Sequence, residues 1–79
     1  MDIELELKAL AKAEEDLRHA DERILRQDQL TEEMRRDGHD ISIALDLLAV
    51  LRETREAMLD HRELIVANLN RMMGERRQP

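Results

Sequence analysis

The chain has no cysteine, phenylalanine, tryptophan or tyrosine, and only one proline and two glycines among its 79 residues. Without cysteine there are no disulfides, no thiolate metal sites and no thiol nucleophile, and a reducing compartment suits the chain. Without aromatic rings an ordinary small core loses its bulk, and so few turn residues leave a multi-stranded β-fold without its hairpins. Long apolar runs are missing too. The longest, Ile41 to Leu51, is interrupted by Ser42 and Asp46 and falls well short of the ~20 residues of a membrane span. No charged-then-apolar leader with a small-residue cleavage site opens the chain, so the expected location is cytoplasmic.

What remains is rich in Leu, Ala, Glu and Arg, and 41% of it is charged, a composition that favours long helices. The net charge of −6 argues against general nucleic-acid binding, which needs a local excess of Lys and Arg. One exception sits at the end, where Arg71, Arg76 and Arg77 are opposed only by Glu75. Residues 74–79 read as a disordered basic tail.

A seven-residue step from Ile3 finds Leu10, Leu17, Ile24 and Thr31, and the adjacent row holds Glu6, Ala13, Ala20, Gln27 and Met34. These are the two seam positions of a heptad, large residues in one row and mostly smaller ones in the other. The second half repeats the pattern with Ala44, Leu51, Met58, Ile65 and Met72, accompanied by Leu47, Thr54, His61 and Asn68. Between the halves lies Asp37-Gly38-His39-Asp40. An imidazole between two carboxylates suggests chemistry, but a corner accounts for the same residues. Arg35 and Arg36 suit a helix C-terminus, Gly38 can end a helix in the left-handed conformation, and Asp40 can cap the next. The reading is an all-α antiparallel hairpin in residues 1–73, with helix 1 at about 3–36, a corner at 37–40 and helix 2 at about 41–73.

In such a hairpin, facing residue numbers add to a constant. A sum of 78 pairs Ala13 with Ile65, Ala20 with Met58, Met34 with Ala44 and Leu17 with His61, setting large against small in three of these layers. A sum of 76 sets Glu14 against Arg62 and Asp21 against Arg55, two expected ion pairs within the hairpin.

The segments "HADERILRQ", "RRDGHD" and "LLAVLRETREAMLDHRELI" resemble a group of short, uncharacterised proteobacterial proteins that read as helical hairpins. In that group an Ala/Glu/Arg/Gln-rich first helix leads through a Gly-His/Gln-Asp corner to a second helix with a His-Arg pair, here His61-Arg62. The resemblance spans Leu17 to Leu69 and implies a hairpin in a bacterial cytoplasmic setting. It brings no activity.

Helix 2 has more apolar surface than one neighbour can cover. A further row holds Leu45, Arg52, Leu59, Val66 and Met73, and with Leu48 and Leu69 it widens the apolar arc to roughly 160°. Leu45, Leu48, Leu59, Val66, Leu69 and Met73 are therefore the expected oligomer interface, with a homodimer forming a four-helix bundle. A different, unidentified protein could cover the same row. Chemistry fits less well. A di-metal bundle wants Glu-x-x-His on two helices, whereas Asp16 and His19 face Met58 where a further carboxylate should stand. Ser42 and Thr54 have no base-and-orienter pair for hydrolysis. The apolar arc contains arginines and no aromatic anchor, which disfavours a membrane-surface helix. No catalytic, cofactor or metal residues are expected. The function read from the sequence is non-enzymatic protein–protein association, first with itself. The alternative is a small nucleic-acid-associated regulator using the basic tail.

Overall fold

A computed structural model describes residues 2–77, with side-chain surroundings through residue 74. Two helices make up the fold, α1 (Ile3–Arg36) and α2 (Ser42–Arg77). They pack against each other along their length as an antiparallel hairpin, a rod of 66 × 15 × 14 Å.

Local chemistry sets each end. The Asp2 side chain accepts a hydrogen bond from the Glu4 N–H at 2.9 Å, and Glu4 and Glu6 place negative charge in the first turn. At the other end Arg35 and Arg36 occupy the last turn. The corner is a Schellman motif: the His39 N–H donates to the Met34 carbonyl at 2.9 Å and the Gly38 N–H to the Arg35 carbonyl at 3.2 Å. Gly38 carries the φ of +79° that this closure requires. Asp40 then accepts from the Ser42 N–H at 2.9 Å and from its hydroxyl at 2.7 Å, capping α2. The Asp37-Gly38-His39-Asp40 stretch is thus built as a corner, with His39 exposed.

On α1 every residue of both expected seam rows is buried or half-buried, from Ile3 to Met34. Ala13 and Ala20 give the close approach, and Thr31, 2% exposed, satisfies its hydroxyl by donating to the Gln27 carbonyl at 2.7 Å. Ala13, Ile65 and Leu69 form a core cluster against which Ile3, Ala9 and Leu10 pack.

On α2 one row of the seam differs from expectation. Ala44, Ile65 and Met72 are buried, with Leu51 and Met58 half-buried. The second row is Ile41, Leu48, Arg55, Arg62 and Leu69, all buried or half-buried, while Leu47, Thr54 and His61 are exposed. His61 therefore does not face Leu17 in the seam. Both candidate rows lie about 50° from the first, on opposite sides. The row chosen buries two leucines and two arginine stems whose charged ends can reach carboxylates. The rejected one would bury Thr, His and Asn.

The far end of α2 also differs. The helix passes Met73 and Gly74 and continues to Arg77, where a disordered tail from residue 74 was expected. Met72, just before this last stretch, is buried at 6% exposure. The side chains of Arg76 and Arg77, on which the tail reading depends, lie outside the described residues.

Candidate association surface

Two ion pairs tie the hairpin on one of its long faces. Arg55 Nε donates to Asp21 Oδ1 at 2.5 Å, and Arg62 Nη2 lies 3.4 Å from Glu14 Oε1 while its Nη1 meets Glu63 Oε1 at 3.0 Å. Both inter-helix pairs have residue numbers adding to 76. This face also carries the row expected to form the oligomer interface. Leu48 and Leu69, at 4% and 5% exposure, belong to the hairpin's own core. Leu59 and Val66 are half-buried beside the seam, and only Leu45 and Met73 are appreciably exposed. A partner docking here would also have to desolvate the charged ends of Arg55 and Arg62 with their carboxylates.

The opposite face is open. Heptad geometry places Ala9, Asp16, Arg23 and Leu30 of α1 beside Leu47, Thr54, His61 and Asn68 of α2. Between the helices runs a line of shallow grooves. Near the corner Leu30, Leu47 and Leu51 line one with Arg23 and Arg26. Asp16, His19, Arg23, Thr54 and Met58 line the middle. Ala9, His61, Leu64 and Asn68 line the far end. The next row round α2 is Ile43, Val50, Ala57 and Leu64, a heptad-spaced apolar row of which every member is exposed. Ile43 is 84% exposed, Leu64 70% and Val50 56%.

This row was missed by the sequence reading, which counted apolar residues on the other flank. Its signal was present in the spacing of Ile43, Val50, Ala57 and Leu64. The assumption that Leu47 and His61 belonged to the seam hid it, because that assumption turned the seam of α2 by about 50°.

Charge is distributed unevenly round the open face. Asp46, Glu53 and Asp60 form an exposed acidic row on the outer edge of α2, and none of them has an ion-pair partner among the described residues. On α1 the groove cations Arg23 and Arg26 are likewise without one, while Lys12 meets Asp16 at 2.8 Å, a bond that raises the Lys12 pKa. The Asp40 carboxyl is held below its ordinary value by the two bonds from Ser42, hydroxyl first.

The hydroxyls weighed as nucleophiles have structural partners: Ser42 Oγ donates to Asp40, and Thr54 Oγ1 to the Val50 carbonyl at 2.9 Å. Asp16 and His19 share the middle groove while His61 lines the next, and no three potential metal ligands converge among the described residues. No described helix is long and apolar enough to cross a membrane. Comparison with protein-family models, curated proteins and solved structures finds no match.

Proposed function

We propose that this hairpin is a non-enzymatic protein–protein association module whose first partner is a second copy of itself. The observation that carries the reading is the Ile43–Val50–Ala57–Leu64 row, apolar at every heptad step and left in water by the fold. Scattered exposed leucines are ordinary, whereas a continuous strip along a helix marks an association surface. The small core supports the same reading. Among the described residues, three of the seven buried apolar ones are alanines, too little for a rod of this shape to offset the cost of ordering two long helices. A face 66 Å long and 15 Å wide offers on the order of 1,000 Å², enough for the ~800 Å² per partner of a stable interface.

The expected dimer and four-helix bundle are retained in this proposal, but the surface moves to the open face. Leu64→Glu tests it by placing a charge on the last, well-exposed member of the strip without touching the hairpin core. Leu25→Glu is the control, because Leu25 is also well exposed but lies on α1 away from the open face. Sedimentation equilibrium at micromolar concentration should show Leu64→Glu shifted to monomer and Leu25→Glu unchanged. Equal behaviour of the two variants would refute the assignment of the surface.

A further inference from the structure

Two hairpins stacked on their open faces can be related by a twofold axis lying in the interface, running either along the helices or across them. An axis across the helices puts α2 on α2 and α1 on α1. About the middle of the rod, it brings Glu53 beside Asp60 of the second copy and Lys12 beside Arg26. These are like charges, and each pair occurs twice.

An axis along the helices puts α2 on α1 of the second copy, antiparallel, with residue numbers again adding to near 78. Glu53 then meets Arg26 of the second copy and Asp60 meets His19, while Leu47 and Leu30 from both copies close a four-leucine layer near the corners. One like pair, Asp46 with Glu33, remains. Glu53, Asp60 and Arg26 are exposed and without ion-pair partners among the described residues of the single hairpin, so their charges can select the arrangement.

From this complementarity we infer that the dimer is a parallel pair of hairpins, its twofold axis along the helices and both corners at the same end. The inference rests on the self-association proposed above and specifies its geometry. Because the chain has no cysteine, His39→Cys at the exposed corner gives a single spin-label site per protomer. Pulsed electron paramagnetic resonance on the labelled dimer should give a distance of about 20–30 Å, from helix spacings of ~10 Å plus the label arms. A distance near the 66 Å length of the rod would overturn the parallel arrangement while leaving self-association intact. A labelled chain that sediments as a monomer, as does the unlabelled one, would overturn both.

Charge reversal gives an independent reading. Glu53→Arg should weaken dimerisation about three- to tenfold, as expected for exposed pairs occurring twice, and adding Arg26→Glu should restore it. A double variant no tighter than the sum of its single effects predicts would contradict the arrangement.

Discussion

Arg55 offers a sharp test of how α2 is turned. The structure gives it two roles: its stem fills a seam position, and its guanidinium reaches Asp21. Truncation to Ala removes two stem methylenes, each contributing ~0.8 kcal/mol when fully buried. With the side chain 38% exposed, the packing loss should come to about 1 kcal/mol. The ion pair adds little, because the Asp21 side chain is 57% exposed and pairs so placed contribute ~0.2–1 kcal/mol. Arg55→Ala should therefore cost about 1–2 kcal/mol, whereas Arg55→Met, which keeps the stem, should lose little more than the pair. Asp21→Ala removes the pair but gains helix propensity of up to ~0.7 kcal/mol, so alone it should look nearly neutral. A double-mutant cycle on Asp21 and Arg55 cancels the propensity terms and isolates the coupling. Urea unfolding followed by circular dichroism at one fixed protein concentration measures all four variants. If Arg55→Met costs as much as Arg55→Ala, the stem is not packed and α2 is turned wrongly. Coupling near zero would remove the ion pair from the account.

Other consequences follow from the corner and core. Gly38→Ala must adopt φ of +79° with no neighbouring atom in the way, so its cost is conformational, about 1–2 kcal/mol in the same unfolding experiment. Asp40→Ala should lower helicity and the melting midpoint at neutral pH. The Asp40 pKa is depressed below 3.8 in the fold, so its stabilisation is present above 3.8 and is lost as pH falls through the lower folded value; the gap between parent and variant should close there. Leu69→Ala, in the hairpin core, should cost about 2–5 kcal/mol, and Leu47→Ala, at an exposed position, should cost far less before any dimer contribution. Thermal and urea melts at matched concentration separate the two.

The hairpin was legible because local signals agreed. Both α1 seam rows, the glycine at the corner, the Asp40 cap and the facing charges at a sum of 76 all appear in the sequence at fixed spacings. The turn of α2 was less legible for a physical reason. Arg55 and Arg62 read as flanking polar residues, but their apolar stems and paired charged ends let them occupy a seam that Thr54 and His61 could fill only at greater cost. That one misplaced row put Leu48 and Leu69, which the hairpin buries in its own core, among the residues expected at the oligomer interface. The ion-pair register already pointed to the right row, since salt bridges across a seam come from positions within or beside it. The end of α2 lies beyond the expected residue 73, and the glycine at 74 does not stop the helix, since a single glycine costs only ~1 kcal/mol there.

Sedimentation equilibrium of the unmodified chain at micromolar concentration, with helicity recorded on the same sample, tests self-association most directly. The account predicts a dimer of twice the 9.3 kDa chain mass, losing helicity together with dimerisation on dilution. A fully helical monomer across that range would contradict it.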